Sequence, residues 1–368
     1  MGPLDGVKVL DLSRLLPGPA CTWMLHGLGA SVDRVETPGR GDFARHIPPF
    51  VDGVGVYFAC VSRGKRSIAI DLRAPGGPDL VRDLVGRYDV LVEGFRPGVM
   101  EAMGLDPVLL VEENPGLVVA RLSGFGQAGG WQDRVGHDIN YVGVAGLLSA
   151  AAHDANGPAL PPVQVADFGG ASVAAMGIAA ALFERERERA AGRSGGRVLD
   201  VSLAEAALVP MAPLVLSCTA DGRPPVPGGE VLTGALPIYG CYACADGKWI
   251  TVGALEPKFQ AELVRATGGL DREHLASVFR TATRDEWVER LSGACVGPVL
   301  MPDELAGHSA FAGRGAVERL GSTTWVRAPF ATGPAGSLPA LGEHTEAVLS
   351  EAGLADRIAG AREAGVIA

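Results

Sequence analysis

The sequence predicts an α/β protein whose larger part contains a parallel sheet. A strand, a helix and a second strand follow one another within about thirty residues near the start of the chain, between Val7 and Glu36. Further short strands rich in Val, Ile and Leu recur downstream, most of them separated by helical segments. After Asp221 a stretch rich in Pro and Gly leads into a hairpin pattern, which predicts a second and smaller α+β unit.

The first strand is predicted at 7–12, where apolar residues alternate and then become continuous. Pro17 and Pro19 end it, and a helix is predicted at 20–28 and a second strand at 31–36. A crossover of this kind implies that the two strands are parallel. The turn after the first strand lacks the Gly-x-Gly-x-x-Gly pattern that brings a pyrophosphate against the backbone, which argues against a nicotinamide or flavin enzyme.

The later elements are predicted from the same patterns. In the first unit, strands are predicted at 68–72, 89–93, 117–123 and 197–203, and helices at 77–87, from Asp167 to Arg189 and at 204–218. In the second unit, strands are predicted at 239–243 and 248–253, joined by the turn 245–247, and helices from Pro257, at 271–279 and at 284–293. A C-terminal helix at 345–352 is expected to pack against the first unit.

The composition limits the class of protein. The chain has 368 residues, of which 47% are hydrophobic and 20% charged, as is typical of a globular protein of two domains. A net charge of -10 argues against nucleic acid and against an anionic membrane surface. No signal peptide is recognised, and the longest apolar run, near 174–183, falls short of the roughly 18 residues that span a membrane. The six cysteines include one close pair, Cys241 and Cys244, so we expect a reduced, cytoplasmic protein without a metal site.

A cluster of cations precedes the predicted strand at 68–72. It consists of Arg63, Lys65 and Arg66. The cluster predicts either a solvated turn or a seat for an anionic group, since Arg and Lys supply donors to phosphate oxygens. Arg96 follows the strand at 89–93, at the carboxyl end where open α/β sheets bind ligands.

Two titratable residues stand out between 136 and 189. His137 and Asp167 are each flanked by Gly and apolar residues, and Asp167 is expected to be the N-cap of the helix that follows. Such a pair can remove a weakly acidic proton next to a carbonyl and return it from the other face, while free N–H groups of the helix N-terminus stabilise the enolate oxygen. Taken singly, a histidine is most often structural and an aspartate before a helix is most often a cap. Glu256, in a loop flanked by Gly253 and Pro257, is a third candidate.

Three segments together resemble a known family. They are Gly136–Tyr141, Val165–Gly170 and Val252–Phe259, and they are similar to signatures of the α-methylacyl-CoA racemases, a group within the family III CoA-transferases. Further matches occur at Pro3–Val9, Arg63–Ser67, Val92–Gly98, Tyr242–Gly247 and Cys295–Leu300. The resemblance therefore covers nearly the whole chain.

The resemblance implies an interlocked homodimer in which a large Rossmann-like domain is built from both ends of the chain. On this basis the large, CoA-binding domain is expected at 1–200 and 325–368, linkers at 201–234 and 311–324, and the small domain at 235–310. The active site is expected where the large domain of one subunit meets the small domain of the other.

The resemblance also implies the activity of an acyl-CoA racemase. His137 and Asp167 are then the two bases at the α-carbon of a 2-methyl-branched acyl-CoA, and Glu256 of the partner subunit orients His137. The resemblance places Arg63, Ile70, Arg96 and Asp138 near the CoA, and the cation cluster adds Lys65 and Arg66 as expected contacts of the same ligand. No cofactor is expected beyond the CoA moiety of the substrate, and the acyl chain is left undefined.

The alternative is a CoA-transferase. In that reaction Asp167 is a nucleophile that forms an acyl anhydride and then a CoA thioester. Both reactions place the same carboxylate beside the thioester, so Asp167 does not distinguish them. Anhydride chemistry needs no base on the opposite face, and the presence of His137 and Glu256 therefore favours the racemase.

Overall fold

The computed structural model describes residues 2–331, 333 and 335–368. The chain divides into two compact units. The first comprises Met1–Ala145, Pro162–Pro210 and Gly315–Ala368, and the second comprises Gly146–Pro161 and Met211–Arg314. The first unit thus contains both ends of the chain. The region 201–234, expected to be a linker, is largely helical.

The strands and helices of the two units are numbered in chain order. The strands are β1 (Lys8–Asp11), β2 (Ser31–Glu36), β3 (Phe50–Val51), β4 (Val54–Gly55), β5 (Arg66–Ala69), β6 (Val90–Glu93), β7 (Val118–Ser123), β8 (His153–Asp154), β9 (Gly157–Pro158), β10 (Arg197–Ser202), β11 (Tyr239–Ala243), β12 (Trp249–Gly253), β13 (Val296–Pro298), β14 (Val317–Leu320) and β15 (Thr323–Val326). The helices are α1 (Pro17–Gly27), α2 (Val56–Ser62), α3 (Gly77–Val85), α4 (Val99–Ala102), α5 (Pro107–Glu113), α6 (Asp138–Val144), α7 (Leu147–Ala150), α8 (Val165–Ala190), α9 (Leu203–Leu208), α10 (Ala212–Asp221), α11 (Pro257–Thr267), α12 (Arg272–Phe279), α13 (Arg284–Arg290), α14 (Ser309–Ala312), α15 (Thr345–Glu351) and α16 (Arg357–Glu363).

A parallel sheet of six strands forms the centre of the first unit. Its order is β10-β7-β6-β1-β2-β5, and every neighbouring pair is parallel. The parallel sheet predicted from the sequence is therefore confirmed. The order is that of the doubly wound nucleotide-binding folds, in which ligands bind beyond the carboxyl ends of the strands where the strand order reverses. Here that switch point lies between β1 and β6.

Both faces of this sheet are buried. Leu10 and Leu91 point into one apolar core, which also contains side chains of α3 and α15. Their neighbours Val9 and Val90 point into the other core, which is covered by α1 and α8. Continuous apolar strands are typical of a sheet with helices on both faces, and burial of each such side chain stabilises the fold by roughly 1.5–3 kcal/mol.

The C-terminal segment completes the first of these cores. Val348 and Leu349 of α15 are buried beside Ile68, and Ile367 forms a bridge with Ile70 at the end of β5. The C-terminal helix expected at 345–352 is thus present and packs on the first unit as predicted.

Proline and capping account for the main differences from the predicted boundaries. Helix α1 begins at Pro17 because proline is tolerated in the first turn of a helix. The predicted helix at 204–218 is divided into α9 and α10 by a 3-10 turn that contains Pro210. Helix α8 begins at Val165, so Asp167 is its third residue and the expectation that Asp167 is the N-cap is wrong.

Two helical segments are apolar over unusual lengths. They are α8 and the segment Leu203–Asp221, and both are long and apolar enough to cross a membrane by length and composition alone. The expectation that no segment reaches such a length is therefore wrong for these two. Helices in a protein core meet the same criterion. In α8, Ala171, Ala174 and Ile178 lie buried in the core beside the sheet.

The second unit has its own core around a small antiparallel sheet in the order β11-β12-β13. The predicted hairpin between β11 and β12 is present. Ile250 and Val252 of β12 pack with Phe279 and Trp287, whose rings meet edge to face with centroids 5.2 Å apart. Edge-to-face contact is a preferred geometry for aromatic pairs.

Candidate active site

The N-termini of α6 and α8 are joined by one carboxylate. The N-cap residue of α8, Gln164, supplies no side-chain cap. Instead Oδ1 of Asp138, the first residue of α6, accepts the backbone N–H groups of Ala166 at 2.7 Å and of Asp167 at 3.0 Å. The first N–H groups of a helix have no partner within the helix, so Asp138 caps α8 from another element.

His137 stands at this junction. It is the N-cap residue of α6, its side chain is exposed, and its backbone N–H donates to Oδ1 of Asn140 at 2.9 Å. Because Asp138 is its neighbour in the chain, His137 is brought to the end of α8 that carries Asp167. The two candidate bases therefore belong to adjoining helix ends.

The carboxyl group of Asp167 is half-buried in the first turn of α8. Burial and, after it, the negative charge of Asp138 together raise its pKa to about 7. The helix N-terminus favours the ionised form, but the two opposing effects prevail. A carboxyl group with such a pKa exchanges a proton readily at neutral pH, which is the property that a general acid or base requires.

The sequence predicts free backbone N–H groups at the N-terminus of α8, but two of these groups are already bonded. The N–H groups of Ala166 and Asp167 are taken by Asp138, so they are not free to stabilise an enolate oxygen. In the part of the chain that the structure describes, the N–H groups of Asp138 and Ile139 donate to no other residue. Among the described residues, free donors thus lie at the start of α6 and, in α8, at Val165, whose N–H likewise donates to no other residue.

An aromatic cluster supports the start of α6. The hydroxyl of Tyr141 donates to the carbonyl oxygen of Gly136 at 2.6 Å, and the ring of Phe125 meets that of Tyr141 edge to face at 5.2 Å. A Cβ atom on Gly124 would lie 2.6 Å from the Tyr141 ring, so only glycine fits there. The roles of Tyr141 and Phe125 were not predicted from the sequence, although the glycines on either side of Phe125 are a signal of such close contact.

A cleft of about 720 Å³ lies at the carboxyl ends of β1, β2, β5 and β6 in the first unit. It coincides with the switch point of the sheet. Its lining residues follow the ends of those four strands: Leu12 and Arg14, Val35 to Asp42, Ile70 to Arg73, and Phe95, Arg96, Val99 and Met103. The position and the size are those of a ligand site in an open α/β sheet. Ile70 and Arg96, two of the residues expected near a bound CoA, line this cleft.

Three acidic residues line this cleft, Glu36, Asp42 and Asp71, and the first two are neutralised by buried partners. Glu36 is bound by Arg45 at 2.7 Å, and Asp42 pairs with the fully buried Arg34. Burial would raise the pKa of Glu36, but the hydrogen bond from Arg45 and the charges of Arg34 and Arg45 leave that pKa below its usual value. Both of these carboxylates are thus paired, and they add little net charge to the cleft.

The cations of the cleft remain available to a ligand. They are the exposed Arg14, Arg40, Arg73 and Arg96. None of these guanidinium groups donates a hydrogen bond to another residue within the described ranges. Guanidinium groups match phosphate oxygens in geometry and charge, so the cleft suits a polyanionic ligand despite the acidic composition of the chain.

The cation cluster at 63–66 is mostly engaged within the protein. The guanidinium of Arg66 binds Asp33 through two hydrogen bonds, at 2.6 and 2.8 Å, and also binds Glu351. Arg63 donates through Nε to the carbonyl oxygen of Gly336 at 2.9 Å and stacks on Trp325. The interpretation of this cluster as a seat for an anion is therefore not supported for Arg66, and Arg63 ties the C-terminal segment to α2.

Lys65 is buried rather than exposed on a turn. Its ammonium group donates to the carbonyl oxygen of Pro19 at 2.7 Å and to Oγ1 of Thr22 at 2.6 Å, and lies 3.7 Å from Asp11. Burial lowers its pKa to about 7. The hypothesis that Lys65 binds a phosphate of CoA is corrected by this placement, because a solvent-borne ligand does not reach a buried ammonium group.

Glu256 belongs to the second unit. It is the N-cap residue of α11 and is exposed. Its backbone carbonyl accepts the N–H groups of Phe259 and Gln260, whereas its carboxylate accepts no hydrogen bond from the residues that the structure describes. The carboxylate is therefore available to a group outside its own helix.

The chain is similar to known proteins over almost its whole length. A family model described as CoA-transferase family III matches residues 4–345. Alpha-methylacyl-CoA racemase from Homo sapiens is 36% identical over 381 aligned residues, which cover 95% of this chain and 93% of the racemase. Succinyl-CoA--D-citramalate CoA-transferase from Chloroflexus aurantiacus is 34% identical, covering 72% of this chain and 65% of the transferase. A crystal structure of a CaiB/BaiF family protein from Brucella suis matches with a TM-score of 0.81 at 28% identity, covering 95% of this chain and 99% of that chain.

Proposed function

The chain belongs to the CoA-transferase family III and is an enzyme of that family, and we propose that it inverts the α-carbon of a 2-methyl-branched acyl-CoA. The observation that carries this proposal is the junction of α6 and α8. There one carboxylate, that of Asp138, links the helix that begins beside His137 to the helix that carries Asp167. An imidazole and a carboxyl group, the two kinds of side chain that a proton transfer at this carbon needs, thereby belong to adjoining helix ends.

In the proposed reaction the two groups act on opposite faces of the α-carbon. One of them removes the α-proton, the electron pair passes into the thioester carbonyl to form an enolate, and the other returns a proton from the opposite face. The thioester itself acidifies the α-proton, so the proposal includes neither a metal nor a redox cofactor. The free N–H groups of Asp138 and Ile139 are the donors that we assign to the enolate oxygen.

A CoA-transferase is the second candidate, and transferases among the relatives favour it. In that reaction the carboxylate of Asp167 attacks the thioester carbonyl, CoA leaves as the thiolate, and an acyl anhydride forms. A nucleophilic carboxylate acts in its ionised form, whereas the pKa of Asp167 is raised to about 7 by burial and by Asp138. A group that is partly protonated at neutral pH suits proton transfer better than nucleophilic attack, which supports the racemase.

The test of the proposed function is exchange of the α-proton. Wild-type enzyme incubated with a 2-methylacyl-CoA in deuterated water, with no free carboxylic acid present, is expected to incorporate deuterium at the α-carbon and to convert either epimer into a mixture of both. Mass spectrometry and chiral separation of the acyl group measure the two effects. Transfer of CoA to an added carboxylate without α-exchange would contradict the racemase and assign the enzyme to the transferases.

We assign the cationic cleft to the phosphates of CoA. Replacement of Arg96 by alanine is expected to raise KM for the acyl-CoA by about 10-fold or more while kcat changes little, because a charge-assisted hydrogen bond contributes about 1.5–3 kcal/mol to binding. Steady-state kinetics of the racemisation measures both constants. Arg66→Ala is the matched comparison, since that guanidinium is paired with Asp33 and Glu351, and its KM is expected to stay near the wild-type value. A fall in kcat at unchanged KM for Arg96→Ala would instead give Arg96 a role in the chemical step.

We further propose that the enzyme acts as a homodimer, in which Glu256 of one subunit orients His137 of the other. Support comes from exposed apolar side chains on the helices around the proposed site: Ile139 and Val144 of α6, Met176 and Phe183 of α8, and Leu208 of α9. Apolar residues gathered in this way mark surfaces that become buried on association. The acyl-CoA is the only other partner that we propose, with neither nucleic acid nor membrane involved.

The six cysteines support a reducing location. All six are free thiols, and Cys21, Cys218 and Cys244 among them are buried. Disulfides persist mainly in oxidising compartments, so unpaired cysteines favour the cytoplasm that we propose.

A further inference from the structure

The carboxylate of Asp138 makes a contact that its position in the sequence does not suggest. Its Oδ1 atom accepts two backbone N–H groups of α8, across 28 and 29 residues of chain. A helix is usually capped by the residue just before it, but Gln164 supplies no such bond to α8. The cap of α8 is thus at the same time a tie between two helices.

The covalent connection does not set the spacing of these helix ends. Most of the residues between α6 and α8, Gly146–Pro161, belong to the second compact unit. The body of α6 is anchored by the buried side chains of Tyr141 and Val142, which lie one turn further along the helix. The bonds of Asp138 therefore join the first turn of α6, and with it His137, directly to the first turn of α8.

Asp138 also acts on Asp167 through its charge. After burial, the negative charge of Asp138 is the second cause that raises the pKa of Asp167. On α6 the neighbouring titratable groups are His137 and Tyr141. The titratable groups on the other elements packed against α8 are Cys21 and His26 on α1, Arg121 on β7, Arg197 and Asp200 on β10, and Glu205 on α9.

We propose that Asp138 is a positioning residue for the reaction, whose carboxylate fixes the spacing of His137 and Asp167 rather than binding the CoA. This inference rests on the proposed function, because it assigns the two positioned groups to the proton transfers. Misplacement of a reacting group by about 1 Å can lower a rate by about 100-fold. The role of Asp138 is therefore expected to appear in kcat and not in KM.

Two substitutions of Asp138 distinguish the effect of its hydrogen bonds to α8 from the effect of its negative charge. Asp138→Ala removes both, and it is expected to lower kcat for racemisation by about 10- to 100-fold with KM changed less than about threefold. Asp138→Asn keeps an oxygen that accepts both N–H groups, so it is expected to recover most of kcat. It lacks the charge, however, so its kcat/KM profile is expected to lie at lower pH than that of the wild type. A merely structural cap would not move the pH profile.

Amide hydrogen exchange tests the contact independently of the reaction. In the wild type, the amides of Ala166 and Asp167 are expected to be protected by their bonds to Asp138, and in Asp138→Ala to exchange about 10-fold faster or more. Mass spectrometry of a fragment spanning 164–170 measures this. Asp106→Ala is the matched control, since Asp106 caps α5 through the N–H of Val108 and is expected to lose only local protection, with wild-type kinetics.

Different results would contradict the positioning role of Asp138 and the proposed racemase activity. Unchanged protection at 166 and 167 in Asp138→Ala, or lost protection with an unchanged kcat, would overturn the positioning role. A raised KM at unchanged kcat would overturn it in favour of a CoA contact. Should Asp138→Ala fail to fold, Asp138→Asn decides: retained protection at 166 and 167 together with a kcat about 10- to 100-fold below that of the wild type would overturn the positioning role. Absence of α-exchange in the wild type refutes the proposed function, while the protection experiment still decides whether the contact exists.

Discussion

Replacement of Asp167 by asparagine is expected to abolish the interconversion of the two epimers while leaving deuterium exchange in one of them. Asparagine keeps the shape of the side chain but cannot take up the α-proton, so inversion is expected to fall by about 10²- to 10⁴-fold. His137 can still remove and return the proton on its own face, which labels one epimer without inverting it. Chiral separation of the acyl group followed by mass spectrometry measures both quantities on one sample.

The reciprocal variant makes the assignment specific. His137→Asn is expected to lose inversion to a similar extent and to retain exchange only in the epimer that the Asp167 variant fails to label. Asp106→Asn, which alters a capping carboxylate on α5, is the control and is expected to retain both activities. If Asp167→Asn still inverts the substrate, or if both variants label the same epimer, the two groups do not act on opposite faces.

The pH dependence of kcat/KM follows from the same two groups, His137 and Asp167. The productive enzyme holds one proton between the two groups, so kcat/KM is expected to be bell-shaped and to have the same profile in both directions. Burial and then Asp138 raise the pKa of Asp167 to about 7, which places one limb of the profile near pH 7. As the pH falls through that value, Asp167 takes up a proton and the one-proton form gives way to a fully protonated one. That limb is expected to be absent from the residual exchange by Asp167→Asn.

The fold was predictable because its signals are local. The apolar run at 7–12 and the crossover that follows it predict a parallel pair, and β1 and β2 form one. The carboxyl ends of such strands meet at one edge of the sheet. The cations of the cleft could have been found from this rule, because Arg14, Arg40, Arg73 and Arg96 each lie within a few residues after a predicted strand. Only Arg96 was interpreted in that way.

The predictions that were wrong concern residues whose environment depends on contacts with distant parts of the chain. Asp167 was taken for an N-cap because an aspartate before an apolar helix usually is one, whereas the cap comes from Asp138 across 29 residues of chain. Lys65 was taken for a surface cation because its neighbours are charged, whereas Thr22 and Asp11 stabilise it inside the fold. Neither partner is indicated by the local pattern, since burial is decided by how the elements pack.

A mixture of two inactive variants is expected to restore activity if Glu256 acts across the subunit boundary. His137→Asn and Glu256→Gln are each expected to lower racemisation, the second by at least about tenfold, because the imidazole loses the group that orients it. In a mixed dimer, one site combines both defects and the other combines the intact His137 with the intact Glu256. Since about half of the dimers are mixed and one of their two sites is intact, about a quarter of wild-type activity is expected. Co-expression of differently tagged chains and a racemisation assay measure it.

Co-expression of a doubly substituted chain with the wild-type chain provides the control. When a chain carrying both substitutions is co-expressed with the wild type, each site of a mixed dimer receives one defective group if Glu256 acts in trans. Activity is then expected to fall to about a quarter, that of the wild-type dimers alone. If Glu256 orients the imidazole of its own chain, the wild-type half of each mixed dimer stays active, about half of the activity remains, and the first mixture shows no recovery. The carboxylate at the start of α11 is exposed and accepts no hydrogen bond from the residues that the structure describes, so it can accept one from an imidazole N–H outside its own helix, and the two mixtures together decide which subunit supplies that imidazole.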